Sequence, residues 1–232
     1  MEKININYNN KNLILHVHSG GEVISDVIRK NKTFYEVEFL DYIRNNFPKQ
    51  KNIIDIGSNI GNHALFFAEF IEYDKIYCFE PQIDNVNILR ENMKDKQTEI
   101  YDIALSDVIG EKTLYNSQQG NSGGFSLECY DHPTSKSYKV LDSINVRTLD
   151  SYNFENISMI KIDVESHELP VLNGAKDTII RNKPIIFLED LSYDFPKMFE
   201  KNRFNQFFND IGYKLQEGNI LGSMMDLWVP IN

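Results

Sequence analysis

Hydrophobic positions along the chain change period several times, and the changes mark out its elements. Two short alternating runs, Ile4-Asn-Ile6 and Leu13-Ile-Leu-His-Val17, flank a polar Asn9-Asn-Lys-Asn12 segment, which predicts two strands and a turn. Phe34, Val37, Leu40, Tyr42 and Ile43 then recur at roughly helical spacing, predicting a helix over 34–46. From residue 52 apolar runs alternate with amphipathic stretches. The pattern predicts strands near 52–56, 75–80, 99–104, 157–163 and 184–189, with helices near 60–71, 83–93, 168–181 and 196–210. In the first of these helices Ile60, Ala64, Phe67, Ala68 and Ile71 share one face, as in a helix lying on a sheet.

Alternation of this kind implies right-handed crossovers and a mainly parallel α/β sheet. The end departs from it. Gly212 to Glu217 and Met224 to Pro230 read as two strands joined through a Gly-Asn turn. So short a link cannot return a strand parallel, so these form an antiparallel hairpin at the sheet edge. The expected organisation is an N-terminal strand/helix extension over 1–50 and one cofactor-binding domain over 51–232. Between Asn116 and Lys139 the chain is polar, with Gly120, Gly123, Gly124 and several serines. It reads either as a ligand-ordered loop or as a surface excursion. Gly123-Gly-Phe-Ser126 could close over an acceptor, with Phe125 excluding water.

Composition narrows the class. At 232 residues, 41% hydrophobic and 25% charged, the chain can bury one large core. No apolar run reaches the length of a bilayer, and Met1-Glu-Lys-Ile lacks the segments of a secretory signal. Cys78 and Cys129 are too few for a disulfide framework, so a reducing cytoplasm is the default expectation. A formal charge of −10 with scattered lysines and arginines argues against nucleic acid as a partner. Oligomeric state is left open; the leader strands could pair between chains, but nothing demands it.

The chemistry concentrates at predicted strand ends. Asn52-Ile-Ile-Asp-Ile-Gly-Ser-Asn-Ile-Gly61 is a strand, an acid and a glycine turn before a helix. Lys75-Ile-Tyr-Cys-Phe79 stops on Glu80, 25 positions after Asp55. Two neighbouring parallel strands would thus hold a nucleoside at their carboxyl ends, with Glu80 accepting bonds from ribose hydroxyls. Asn59 stands where a dinucleotide fingerprint needs its second glycine, and Asp55 is electrostatically wrong for phosphates. The same acid suits an ammonium or a sulfonium, and S-adenosylmethionine carries both. The fourth strand ends in Asp163, Glu165, His167 and Glu168, a density of ionisable groups expected where ligands bind. Lys161, between Ile160 and Ile162, could neutralise a carboxylate in or near the cleft. His167 is a candidate general base with Asp163 or Glu165 to orient it; alternatively His167 and Glu168 simply open the next helix.

Several ordered blocks resemble the FkbM-type family of class I methyltransferases: Asp55-Ile-Gly-Ser-Asn-Ile-Gly61, Cys78-Phe-Glu-Pro81, Ile103-Ala-Leu-Ser-Asp107, Val146-Arg-Thr-Leu-Asp150 and Ile160-Lys-Ile-Asp-Val-Glu-Ser-His-Glu168. The resemblance covers roughly residues 34–190. It implies a Rossmann-like methyltransferase fold with a seven-stranded sheet, and methyl transfer from S-adenosylmethionine, usually to an oxygen of a sugar or secondary metabolite. On that likeness Asp55 and Gly57 line the methionine part, with the Gly57 to Gly61 backbone near its carboxylate. Glu80 holds the ribose, and Asp102, Ala104 and Ser106 bracket the strand end where adenine lies. Asn59, Pro81 and Asp163 complete the expected cofactor set, and Glu36 of the leader could reach the methionine amine. One departure is Ser166, then His167, where the family commonly has glycine after Asp-Val-Glu.

Three alternatives accompany this reading. Asp163, Glu189 and Asp190 could offer oxygen ligands to Mg²⁺ or Ca²⁺, although the resemblance does not demand a metal. A nicotinamide-dependent oxidoreductase on a related fold is disfavoured by Asn59 and the terminal hairpin. A non-catalytic nucleoside-binding or scaffolding protein would keep Asp55, Gly57 and Glu80 and methylate nothing. His16 and His18 alternate on a leader strand, and without a third ligand they read as a solvent-facing pair and not a zinc site.

Overall fold

The computed structural model describes residues 1–117, 125–127, 138–197 and 199–231. The leader comprises β1 (Glu2–Tyr8), β2 (Lys11–Val17), α1 (Val23–Asn31) and α2 (Val37–Asn46). There follow β3 (Asn52–Ile56), α3 (Asn62–Phe70), β4 (Lys75–Phe79), α4 (Ile83–Asn92) and β5 (Thr98–Tyr101). Next come β6 (Ala104–Leu105), β7 (Gly110–Ser117), β8 (Phe125–Ser126) and β9 (Tyr138–Arg147). The chain finishes through β10 (Ile157–Ile162), α5 (Glu168–Asn173), α6 (Lys176–Asn182), β11 (Ile185–Glu189), α7 (Asn205–Asp210), β12 (Tyr213–Glu217) and β13 (Met225–Pro230). Among the described residues no helix is long and apolar enough to cross a membrane.

The main sheet has seven strands in the order β12-β13-β11-β10-β3-β4-β5. Its five consecutive strands from β11 to β5 are parallel, as the alternation predicts. The terminal hairpin is present, and β13 inserts antiparallel between β11 and β12, so β12 takes the edge. Central strands β3 and β10 are covered on both faces, which is why they read as near-continuous apolar runs. Ile53 and Met159 belong to one core, Ile54 and Ile160 to the other.

The leader builds part of the first core. Ile4, Leu15 and Phe34 are buried there with Phe66 and Phe67 of α3. Tyr8, Phe34, Phe66 and Phe70 meet edge to face, with Tyr8 4.7 Å from Phe70 and Phe34 5.2 Å from Phe66 between ring centroids. Helix α3 therefore buries a second face beyond the single stripe its periodicity indicates. Helix α1 was not expected at all. It starts where the Glu22 carboxylate, itself buried, accepts from the backbone N–H groups of Ile24 and Ser25 at 2.9 and 2.7 Å.

Five expectations need correction. His16 and His18 are not a solvent-facing pair: both are half-buried against α4. Asn92 Oδ1 accepts from the His16 backbone N–H at 2.7 Å, and the His18 ring lies 2.8 Å from Asn85 Oδ1. The strand expected over 99–104 ends at Tyr101, and the chain turns into β6 of a second sheet with order β6-β9-β7-β8. Strands β7 and β9 run as far as Ser117 and from Tyr138, so the polar insert is partly sheet. Gly120, Gly123, Gly124 and Cys129 lie outside the described residues, as does the side chain of Phe125. The helix expected over 168–181 breaks at Gly174, where a Cβ would stand 1.9 Å from the Ser106 carbonyl oxygen. Asp150 then caps α6 by accepting from the N–H groups of Asp177 and Thr178. The helix expected over 196–210 is regular only at Asn205–Asp210.

Candidate active site

The carboxyl ends of β3, β4 and β10 floor a cleft of ≈ 920 Å³, its open mouth included. Position dictates the turn chemistry. The backbone N–H groups of Gly57 and Ser58 both donate to the Phe79 carbonyl, at 2.9 and 3.1 Å, pinning the end of β3 to β4. Gly57 has φ +76°, and a Cβ on it would lie 1.8 Å from the Asp163 carbonyl oxygen, so only glycine lets β3 and β10 approach there. Asn59 follows in the left-handed region at φ 49°, which asparagine tolerates better than most residues.

Glu80 closes this unit. Its Oε2 accepts from the Asn59 backbone N–H at 2.9 Å, and its Oε1 from the Gln82 N–H at 3.0 Å and Asn85 Nδ2 at 3.3 Å. Burial pushes its pKa up to about 7, against the pull of those donors towards the carboxylate. Glu80, Pro81, Asn59 and Gly57 all line the cleft. Further along, Ile103, Ala104, Leu105, Leu114 and Leu127 form an apolar wall.

Asp55 sits differently. It is fully buried and lies outside the cleft lining, beneath the glycine turn. Neither of its oxygens has a hydrogen-bond partner; its Oδ1 is 3.4 Å from Lys161 Nζ. Lys161, on the adjacent strand, also lies 3.2 Å from Asp163 Oδ2 and donates to the Gly57 carbonyl at 3.0 Å. Burial opposes its charge, but Asp163 and Asp55 outweigh burial and raise its pKa. The neutralising role read for Lys161 is thus what the geometry displays.

Beyond β10 the chain makes a tight turn with two non-glycine residues at positive φ, Glu165 at 53° and Ser166 at 82°. The second value explains why glycine is the easier choice at that position. Glu168 braces the turn: its Oε1 accepts from the N–H groups of Val164 and Ser166, and its Oε2 pairs with Arg203 at 3.1 Å. Asp163, Glu165 and His167 line the cleft. Burial, then Asp163 and Glu168, push the Glu165 pKa up to about 8. The His167 ring is 1% exposed, with Nε2 3.0 Å from Ser106 Oγ.

The other predicted residues divide. Ala104 lines the cleft, whereas Ser106 is buried behind it against His167. Asp102 is exposed, outside the lining, and pairs with Arg90 at 3.3 Å. Gly61, at φ 83°, packs where a Cβ would come within 2.6 Å of Leu89, so it serves the helix packing. Glu36 lies 3.2 Å from His63 Nε2 at the leader end of the cleft. Glu189 and Asp190 are buried, Asp190 3.6 Å from Arg203, and no group of three His, Cys, Asp or Glu among the described residues could hold a metal. Tyr35, which the leader was expected to contribute near the cofactor, lines the cleft, and sequence reasoning missed Asn62 and His63 beside it. Tyr35 and Asn62 exchange two bonds of 3.0 Å, backbone N–H to Oδ1 and Nδ2 to carbonyl. No short-range pattern signals that pairing.

The family model described as the methyltransferase FkbM domain matches residues 55–217. The chain belongs to the FkbM methyltransferase family. Among curated relatives, the 2-O-methyltransferase NoeI of Sinorhizobium fredii is 26% identical over 145 residues, 56% of this chain and 60% of that protein. The hexuronic acid methyltransferase AglP of Haloferax volcanii is 29% identical over 133 residues, 54% of this chain and 50% of that one. The chain thus spans about half to three-fifths of the length of these curated relatives. A crystal structure of a methyltransferase FkbM from Methylobacillus flagellatus superposes with a TM-score of 0.52 at 16% identity, covering 78% of this chain and 43% of that one. That likeness is one of fold, and it agrees with the Rossmann-like methyltransferase architecture expected from the sequence.

Proposed function

We propose that the protein is an S-adenosylmethionine-dependent O-methyltransferase whose acceptor is a small hydroxylated molecule of the sugar or glycan class. The observation that carries this reading is the Asn59–Glu80 unit at the carboxyl ends of adjacent parallel strands, within a chain of the FkbM family. The names of the relatives, a 2-O-methyltransferase and a hexuronic acid methyltransferase, support the acceptor class.

The residues fit the cofactor. Glu80 offers a buried carboxyl to ribose hydroxyls, and the Ile103–Leu105 wall with Leu114 and Leu127 suits adenine. Gly57 and Asn59 expose backbone to the methionine part, with Asp163 and Glu36 as negative groups for its amine. Asp55 acts from beneath, through Lys161. When bound, the cofactor supplies a methyl carbon made electrophilic by a positive sulfur. The leader, residues 1–50, roofs the cofactor unit of 51–232 through Ile24 and Tyr35. Closing a dry cleft over the acceptor aligns its oxygen and excludes water.

An acceptor hydroxyl must also lose a proton. A carboxylate oxygen of Glu165 takes it, because this side chain lines the cleft and its pKa of about 8 lies close to working pH. Asp163 and His167 line the cleft with it, and Ser106 holds the His167 ring from behind. Turnover of methyl-labelled S-adenosylmethionine against a panel of saccharides tests the reading. Label in a saccharide product is expected; a protein that binds the cofactor but transfers to no hydroxylated acceptor would contradict it.

A further inference from the structure

Two histidines of the leader meet α4 in the same way and differ in what lies beyond. His16, on β2, has its ring Nδ1 3.1 Å from Asn92 Oδ1. His18, one residue past the end of β2, has its Nε2 2.8 Å from Asn85 Oδ1. The Asn92 amide donates to backbone, to the carbonyls of His16 and Ile60 at 2.9 and 2.7 Å. Asn85 instead donates to Oε1 of Glu80 at 3.3 Å, and Asn85 and Glu80 both line the cleft. His18 is itself clamped by α1. The buried Ser25 Oγ accepts from its backbone N–H at 3.1 Å, and Arg29 donates to its carbonyl at 2.8 Å.

We infer that His18 is a positioning residue for the cofactor: it sets the amide of Asn85, and through it the carboxyl of Glu80 that meets the ribose. The inference rests on the S-adenosylmethionine reading above and adds a leader residue to that site. The chemistry runs through the two ends of one amide. Glu80 Oε1 also accepts from the Gln82 N–H, so a donor and not another oxygen suits that side of Asn85. The Asn85 carbonyl oxygen then faces His18, whose ring meets it with a proton on Nε2. Without that ring the amide is free to turn its oxygen onto Glu80, where two acceptors repel and the carboxyl loses its orientation.

Titration calorimetry of the whole chain with S-adenosylhomocysteine, beside a thermal melt of each unliganded variant, tests this. His18→Ala should weaken binding about tenfold, and His18→Gln, which restores an N–H donor, should recover to within about threefold of wild type. His18→Met fills the space of the ring without a donor, so it should lose as much as the alanine variant and keeps the test open if that variant does not fold. His16→Ala removes the matched contact that leads away from Glu80, and its affinity should stay within about twofold of wild type. Asn85→Ala should weaken binding about as much as His18→Ala, and combining the two should cost no more than either alone. Wild-type affinity in His18→Ala or His18→Met, even with a lowered Tm, would overturn the inference by reducing His18 to a clasp between the leader and α4. Equal losses in the His16 and His18 variants, or additive losses in the double variant, would overturn it as well. Wild-type protein that binds no S-adenosylhomocysteine would instead defeat the cofactor reading, and is seen before any variant is made.

Discussion

The backbone N–H of Asn59 donates to Oε2 of Glu80 at 2.9 Å, which makes the turn after β3 and the acid after β4 a single structural unit. Replacing the acid therefore affects the ligand and the turn together. Glu80→Ala removes the proposed ribose acceptor and orphans the donors of Asn59 and Gln82. S-adenosylhomocysteine affinity should fall about 100-fold, and Glu80→Gln, which keeps one acceptor, about tenfold. Isothermal titration with both variants checks the order.

Gly57→Ala places a methyl carbon on a backbone with φ +76° and against the Asp163 carbonyl. Strain and clash together should cost about 3 kcal/mol or more, lowering Tm by roughly 6–12 °C for a domain of this size. A thermal melt within 2 °C or so of wild type would show that β3 and β10 can part without penalty.

Lys161 is the sole described cation against the buried Asp55. Lys161→Met should destabilise by about 3–5 kcal/mol, because it strands a charge at full burial. Asp55→Asn in the same chain should restore a large part of that loss. Chemical denaturation of the two single variants and the double variant measures the coupling.

The raised carboxyls fix the sign of the pH dependence. Glu80 and Glu165 have an ordinary value of 4.5 but sit near 7 and 8 in the folded protein. Between those values the folded state binds more protons than the unfolded chain, so stability falls as pH rises. The contribution is fully present below about pH 4.5 and is lost by about pH 8. Unliganded wild type should therefore melt at a higher temperature at pH 5.5 than at pH 8, as far as these groups decide, and Glu165→Gln should flatten the slope. A slope unchanged by Glu165→Gln would mean that this carboxyl titrates at its ordinary value.

Much of this was legible in the chain because it is local. The apolar runs Asn52–Ile56 and Lys75–Phe79 declare buried parallel strands, and the acids that follow them mark the strand ends. What the sequence hid is long-range. Phe66 and Phe70 look like the outer face of α3 until Tyr8 and Phe34 arrive from the leader to cover them. Ser106 resembles an adenine contact from its place near a strand end, yet the crossing of β6 with β9 turns it towards His167. Asp102 shares that neighbourhood but points to Arg90, because β5 stops one residue earlier. Gly174 reads as an ordinary helical glycine, and only its approach to the Ser106 carbonyl explains the break there.

Titration calorimetry of the unmodified chain with S-adenosylhomocysteine tests the central claim most directly. One molecule should bind per chain, with affinity lost on Glu80→Ala and no competition from NAD. A flat titration of folded protein, or binding that ignores the substitution, would contradict the assignment of this cleft.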